Sequence, residues 1–225
     1  MTVSVKICGI SAEEALDAAI EAGADYAGFV FFERSPRHVT PRRAAALAQR
    51  AAGRIKTVAL TVNASEDAIK AIHGEVRPDL FQLHGEENVE RISAIRRLTG
   101  AGIIKAIKVG TPCDIQGARI YEDEADFLLF DAQAAALPGS LPGGNGLSFD
   151  WRWLQGAGLR PNFFLSGGLH PDNVVFALEA SGASAADVSS GVEASRGQKD
   201  LGLIRQFVKA AKSFKRSSAV PAAVE

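Results

Sequence analysis

The sequence predicts an α/β protein, a single-domain (β/α)8 TIM barrel, on three observations. Short, almost wholly apolar segments alternate with Ala-rich segments that carry charges at helical spacing. This alternation is typical of a parallel sheet covered by helices. Eight apolar segments can be counted, as a closed parallel barrel requires. The length of 225 residues suits one such barrel, since these begin at about 200 residues.

The eight predicted strands are short and rich in β-branched and aromatic residues. In chain order the predicted strands are Ser4–Cys8, Tyr26–Phe31, 56–62, Leu80–Leu83, 103–109, 127–131, 162–166 and 186–189.

Helix-starting signals follow most of these strands. Ser11 is predicted to cap the first helix, Thr40 with Pro41 the second and Ser65 the third. Other helices should open at 86–88, 170–172 and 199–200, whereas 112–121 has little helical periodicity. The Gly- and Pro-rich segment 132–147 is predicted to be a functional loop. The barrel domain should span 1–216, with 217–225 as a flexible tail.

An open, doubly wound sheet is the alternative architecture. The first turn reads Cys8-Gly9-Ile10-Ser11 and lacks the G-x-G-x-x-G pattern that binds dinucleotides in such sheets. The sequence therefore favours the closed barrel, in which the active site lies at the carboxyl ends of the strands.

Composition and charge narrow the class of protein. The formal net charge is −1, which favours neither nucleic acid nor a membrane surface as partner. The two cysteines, Cys8 and Cys113, have no zinc or disulfide spacing. No secretory signal and no apolar run of about 18 residues is present. We expect a cytoplasmic protein with free thiols and no bound metal.

The first strand carries a candidate reacting group. Side chains alternate along a strand, so Lys6 and Cys8 share one face and Val5 and Ile7 the other. The apolar face should meet the helices, which turns Lys6 and Cys8 into the barrel. A buried cysteine is often only a small hydrophobic side chain. A neighbouring cation and a following helix N-terminus favour the thiolate, which makes Cys8 reactive.

Polar residues also close the fourth and sixth strands. Asp131 follows four apolar residues, and a carboxylate is costly to bury there unless it is paired or takes part in chemistry. It either caps the strand or reacts. Gln82 and His84 share one face of the fourth strand and are predicted to line the barrel. A rim histidine with satisfied hydrogen bonds is the alternative for His84.

Small residues end the seventh and eighth strands and predict a phosphate site. Glycines let backbone amides approach a ligand, and the loops after these two strands often bind phosphate in barrels. The alternative is that these small residues allow tight packing of strand against helix, and the two interpretations are compatible. The predicted phosphate-binding residues are Gly167, Gly168, Ser189, Ser190 and Gly191, with Asp187 as a site-lining neighbour.

The loop after the second strand holds Arg37 directly after Ser35-Pro36. From there Arg37 is predicted to reach over the carboxyl-terminal end of the barrel and bind a substrate carboxylate through two parallel hydrogen bonds. Arg34 is a weaker candidate for this role. A solvated surface arginine is the alternative for both.

Taken together, these segments resemble the phosphoribosylanthranilate isomerases of tryptophan biosynthesis, from Lys6 to about Phe207. The order and spacing of several motifs carry the resemblance. They are Lys6-Ile7-Cys8-Gly9-Ile10, Gly28-Phe29-Val30-Phe31, Ser35-Pro36-Arg37, Gln82-Leu83-His84-Gly85, Gly143-Gly144-Asn145-Gly146, Leu165-Ser166-Gly167-Gly168-Leu169 and Asp187-Val188-Ser189-Ser190-Gly191-Val192-Glu193 with Gly197 and Lys199-Asp200.

The resemblance implies an Amadori rearrangement of phosphoribosylanthranilate. It implies that Cys8 is the general base and Asp131 the general acid. It also implies that Arg37 binds the anthranilate carboxylate and that the small-residue turns bind the phosphate. It implies a small-molecule substrate and no cofactor. Asn145 stands where threonine is common, and Ala132 follows Asp131 in place of serine or threonine, which bears on loop geometry only. A monomer is the default expectation, with a homodimer as the alternative.

Three competing functions remain. A histidine-biosynthesis type isomerase usually presents aspartates on strands one and five, but Cys8 and Val109-Gly110 stand there. An aldolase would need a Schiff-base lysine inside the barrel, for which Lys105 and Lys108 are the strand-five candidates. A non-catalytic phosphate-binding barrel would have lost the acid or the base.

Overall fold

Eight parallel strands form a closed barrel in the computed structural model, which describes residues 2–133, 143 and 146–215. Each strand pairs with the next along the chain, and the last pairs with the first. This confirms the predicted fold, and each observed strand end lies within one residue of its prediction. The strands are β1 Ser4–Cys8, β2 Tyr26–Phe31, β3 Lys56–Thr61, β4 Leu80–Leu83, β5 Gly102–Val109, β6 Phe127–Ala132, β7 Phe163–Leu165 and β8 Ala185–Val188.

Helices cover the outside of the barrel. Thr40 Oγ1 accepts from the Arg43 amide at 3.2 Å and Ser65 Oγ from the Ala68 amide at 3.2 Å, as predicted for helix caps. The helices are α1 Glu13–Ala22, α2 Pro41–Ala51, α3 Glu66–Val76, α4 Val89–Thr99, α5 Pro112–Gly117, α6 Val174–Ser181 and α7 Leu201–Ser213.

Two predicted helix starts are wrong. Ser11 does not cap α1, whose first residue is Glu13 and whose cap position is held by Ala12. The reason is that the Ile10 amide still donates to the Gly28 carbonyl at 3.0 Å, which keeps the chain tied to β2. The helix predicted at 170–172 begins only at Val174.

The connections after β5 and β6 depart from a regular barrel. After β5 the short α5 runs into a 3-10 turn, Ala118–Tyr121, in agreement with the weak periodicity there. After β6 the described residues contain a 3-10 turn, Trp151–Leu154, in place of an α-helix. Most of the predicted loop 132–147 and the whole tail 217–225 lie outside the described residues.

Large apolar side chains fill the lower half of the barrel interior. Tyr26 packs edge-on against Phe164 with ring centroids 5.4 Å apart, and Leu129 and Leu80 belong to the same buried cluster. This apolar cluster lies toward the amino ends of the strands. The polar inward-facing side chains therefore meet a cavity that opens at the carboxyl ends.

A small hairpin follows β8 and was not predicted. A 3-10 turn, Ser190–Val192, leads into β9, Glu193–Ser195, which pairs antiparallel with β10, Gln198–Lys199. The hairpin lies outside the barrel sheet. Among the described residues, no helix is long and apolar enough to cross a membrane.

Candidate active site

One cavity at the carboxyl ends of the strands gathers most of the predicted site residues. Apolar side chains from β1, β2 and β3 form one wall, and small residues after β7 and β8 form another. The predicted residues that border it are Cys8, Arg37, Gln82, His84, Asp131, Gly167, Gly168, Asp187, Ser189 and Ser190. Lys6 and Gly191 are not among the lining residues.

Cys8 faces this cavity from the last position of β1 and is only 4% exposed. Burial raises the pKa of its thiol, while the Lys6 ammonium acts in the opposite direction. The expectation that a nearby cation favours the thiolate is therefore outweighed here by desolvation. Cys113, the other cysteine, is free and exposed.

Lys6 is completely buried beneath Cys8 and forms an ion pair inside the barrel. Its Nζ lies 2.8 Å from Oδ1 of Asp187. Burial acts to lower the pKa of Lys6, but the neighbouring carboxylate outweighs it, so the pKa is raised. Lys6 is therefore a permanent cation near the cysteine, and one oxygen of Asp187 is committed to holding it.

Asp131, the last but one residue of β6, lies beside His84 at the border of the cavity. Its Oδ1 accepts from the Ala132 amide at 3.0 Å, and its Oδ2 lies 3.4 Å from Nε2 of His84. Nδ1 of His84 lies 2.9 Å from Nε2 of Gln82. Gln82 and His84 are thus part of one polar cluster with Asp131.

The two small-residue turns lie against each other. A side chain at Gly191 would overlap the carbonyl oxygen of Leu169, so the turn after β8 packs backbone to backbone on the turn after β7. Gly167, Gly168, Ser189 and Ser190 border the cavity beside this contact. The structure thus gives Gly191 a packing role, which was one of the two predicted alternatives.

Arg37 lies along the cavity wall instead of extending into solvent. It is 4% exposed, and its Nε and Nη2 contact the two carboxylate oxygens of Glu193 at 2.6 Å and 2.9 Å. The guanidinium is therefore oriented by a buried partner. Sequence reasoning missed this role of Glu193, whose only signal was its place in the motif that follows β8.

Lys199 is a second residue that sequence reasoning missed. Its Nζ contacts Oε1 of Glu193 at 2.8 Å and donates to the carbonyl of Ser189 at 2.9 Å. Burial lowers the pKa of Lys199 while Glu193 opposes this change. Burial acts to raise the pKa of Glu193, but the Arg37 and Lys199 donors lower it to about 2. Glu193 is therefore an anion at neutral pH.

The geometry argues against Lys105 as the Schiff-base lysine of an aldolase on strand five. Ile104 and Ala106 belong to the interior cluster, so alternation turns Lys105 toward the helices. Its Nζ donates to the Gly85 carbonyl at 2.7 Å and contacts Glu87 at 3.3 Å. Within the described ranges, no group of three or more His, Cys, Asp or Glu side chains could hold a metal ion.

The fold and its cavity define a (β/α)8-barrel enzyme with its site at the carboxyl ends of the strands. Residues 5–210 match the family model of N-(5'phosphoribosyl)anthranilate (PRA) isomerase. The isomerase of Parvibaculum lavamentivorans is 47% identical over 213 residues, covering 94% of this chain and 99% of the relative. The chain therefore belongs to the phosphoribosylanthranilate isomerase family.

Solved structures agree with this assignment. A phosphoribosylanthranilate isomerase in complex with reduced 1-(o-carboxyphenylamino)-1-deoxyribulose 5-phosphate is 34% identical, with a TM-score of 0.81, and covers 94% of this chain and 99% of its own. Monomers generated from the dimeric isomerase of Thermotoga maritima are 33% identical, with a TM-score of 0.79 and the same coverage.

Proposed function

We propose that this isomerase converts N-(5-phospho-β-D-ribosyl)anthranilate into 1-(2-carboxyphenylamino)-1-deoxy-D-ribulose 5-phosphate, with Cys8 as general base and Asp131 as general acid. One observation carries the assignment of roles. Both side chains border the same cavity from the ends of different strands, β1 and β6. A sugar between them can be protonated at one atom and deprotonated at another.

The proposed reaction moves protons and needs no electron acceptor. Asp131 donates a proton to the ribose ring oxygen, the C1–O bond breaks, and the nitrogen lone pair forms a C1–N double bond. The Cys8 thiolate then removes the proton from C2, which gives an enolamine. Protonation at C1 and loss of the hydroxyl proton give the ketone. Each positioned acid or base contributes about 10²–10⁴-fold to the rate, and neither a metal nor an organic cofactor is required.

The cavity walls support the binding of each part of this substrate. The apolar wall of Val30, Phe32, Leu60 and Val62 suits the aromatic ring. Arg37 borders the same cavity and carries a guanidinium that matches a carboxylate.

The rest of the cavity suits the phosphoribosyl part. The small-residue turns after β7 and β8 offer backbone amides to the phosphate. Among the described atoms, Gln82 Oε1 and His84 Nε2 are buried without a hydrogen-bond partner, which suits ligand hydroxyls.

Turnover is measured by the loss of anthranilate-type fluorescence when the substrate reacts. We expect wild type to react, and Cys8→Ala and Asp131→Asn each to lose at least about 100-fold in kcat. Cys113→Ala is the matched control, because that thiol is exposed, and its kcat should be unchanged. Near-normal turnover in either site variant would remove that residue from its role.

We also propose that the enzyme works as a monomer in the cytoplasm. Among the described residues few large apolar side chains are exposed, and one of these, Phe176, lies beside the Trp151 ring at 6.2 Å. Light scattering at micromolar concentration is expected to give the mass of one 23.7 kDa chain. A mass twice as large would mean a dimer, as described for the Thermotoga maritima relative.

A further inference from the structure

A buried carboxylate joins two loops of the site. Glu193, the first residue of β9, contacts Arg37 through both oxygens, at 2.6 Å and 2.9 Å. It also contacts Lys199 Nζ at 2.8 Å and accepts from the Gly197 amide at 3.1 Å. The side chains of Glu193, Arg37 and Lys199 are each at most 5% exposed. Of the three, only Arg37 is among the residues that border the cavity.

The hairpin also holds the Arg37 loop through its backbone. Gly197 has a φ of +86°, and a Cβ there would lie 2.7 Å from the carbonyl oxygen of Pro36, the residue before Arg37. A Cβ at Gly9 would lie 2.7 Å from Cδ of Arg37. The turn after β1 thus packs against the stem of Arg37, the β9–β10 hairpin packs against the residue before it, and Glu193 orients the guanidinium.

Lys199 extends the same network to the turn after β8. Its Nζ donates to the carbonyl of Ser189 at 2.9 Å and to its Oγ at 3.2 Å. Ser189 Oγ donates in turn to the carbonyl of Cys8 at 3.1 Å. A single buried cluster therefore connects the guanidinium, the turn beside the phosphate site and the end of β1.

We propose that Glu193 is a positioning residue for recognition of the substrate carboxylate, and that it acts by fixing the Arg37 guanidinium from behind. The inference rests on the proposed binding of that carboxylate by Arg37. An unrestrained arginine side chain loses rotamer freedom when a ligand orders it. Orientation before binding removes most of this cost.

Glu193→Gln keeps the size of the side chain but replaces one acceptor oxygen by an amide nitrogen, so the two-point contact with Arg37 is lost. The substrate pair is phosphoribosylanthranilate and phosphoribosylaniline, which lacks the carboxylate. We expect the variant to raise KM for the first about tenfold, as the loss of one oriented polar contact does. For the second, KM should stay within about threefold, and kcat should change little for both.

Four further variants make the result specific. Glu193→Asp keeps the charge and is expected to recover part of the lost discrimination. Glu87→Gln is the matched control, since Glu87 is also buried and paired with a lysine, Lys105, at 3.3 Å. It should lower stability without changing the KM ratio of the two substrates. Arg37→Ala is also compared with the double variant Arg37→Ala/Glu193→Gln, and the two should have the same KM ratio. If Glu193→Gln does not fold, Glu193→Asp replaces it, and its shorter side chain should still reduce the discrimination between the two substrates.

The possible failures are distinguishable. Equal KM values for the two substrates in wild type would overturn the proposed clamp by Arg37, and with it the role of Glu193. Discrimination in wild type that Glu193→Gln leaves intact would overturn the role of Glu193 alone. A further loss of discrimination when Glu193→Gln is added to Arg37→Ala would also overturn it, because Glu193 would then act through another group.

Discussion

The ammonium of Lys6 lies 2.8 Å from the carboxylate of Asp187, and this pair is sealed inside the barrel beneath the reactive end of β1. The Lys6 side chain is 0% exposed and that of Asp187 5%. A buried charge is tolerated only when it is paired and hydrogen-bonded. The pair therefore couples the stability of the barrel to the electrostatics around Cys8.

Removal of one member of this pair should be costly. Asp187→Asn leaves the Lys6 ammonium buried without its counter-ion, and we expect the free energy of unfolding to fall by about 3–5 kcal/mol. The double variant Lys6→Met/Asp187→Asn should recover more than half of that loss. Urea unfolding at pH 7 measures both. A loss of less than about 1 kcal/mol in the single variant would mean that water or another group compensates Lys6.

The raised pKa of Cys8 should control its reaction with iodoacetamide. Only the thiolate reacts, and burial keeps the pKa of this thiol above its ordinary value of 9.0. The thiolate fraction is therefore small at neutral pH and increases as the pH rises. In a Cys113→Ser background, the alkylation rate should increase about tenfold per pH unit between pH 7 and 9. A rate that is already constant over this interval would mean that the pKa is lowered instead.

Substitution of Arg37 should weaken binding of the carboxylated substrate. Arg37→Ala is expected to raise KM for phosphoribosylanthranilate by at least about tenfold, because a hydrogen bond to a charged group contributes about 1.5–3 kcal/mol. Arg34→Ala is the matched control from the same loop, since Arg34 is exposed and lies near the Phe32 ring. Steady-state fluorescence measures both variants. An unchanged kcat/KM in Arg37→Ala would refute the clamp.

Glu193 should make the fold sensitive to acid. Its pKa is about 2 in the folded protein, against an ordinary value of 4.5. Because the folded-state pKa is lowered, Glu193 stabilises the fold fully above pH 4.5, and this stabilisation disappears as the pH falls toward 2. The free energy of unfolding should decrease by up to about 1.4 kcal/mol per pH unit from this group in that window.

The comparison protein for this measurement is Glu193→Gln. Its unfolding free energy, measured with urea between pH 5 and 3, should decrease less steeply than that of wild type. Equal slopes for the two proteins would mean that Glu193 has a similar pKa in the folded and unfolded states.

Local patterns were sufficient to predict the barrel and most of the cavity. Strand periodicity of two predicted that Cys8 would face inward, and the rule that barrel sites lie at strand ends led to Asp131. The helix start at Ser11 was wrong because the hydrogen bond from Ile10 to Gly28 depends on a neighbouring strand. A sequence-based capping rule does not include that contact.

The parts that could not be predicted depend on distant pairs. Glu193 lies 156 residues from Arg37 in the chain, and no periodicity links a glutamate after β8 to an arginine after β2. The same holds for the contact of His84 with Asp131, which depends on how β4 and β6 face each other. The pKa of Cys8 was misjudged because the sequence indicates the nearby cation but not the degree of burial.

The hairpin after β8 has a consequence for attempts to redesign this barrel. Exchange of single loops is a common route to new specificity, because the loops at the strand ends are treated as separable from the scaffold. Here the loop 32–38 and the segment 191–199 share the Arg37–Glu193 pair and the contact of Gly197 with Pro36. A graft of either segment alone would leave a buried charge without its partner. The two segments therefore form one unit and should be moved between proteins together.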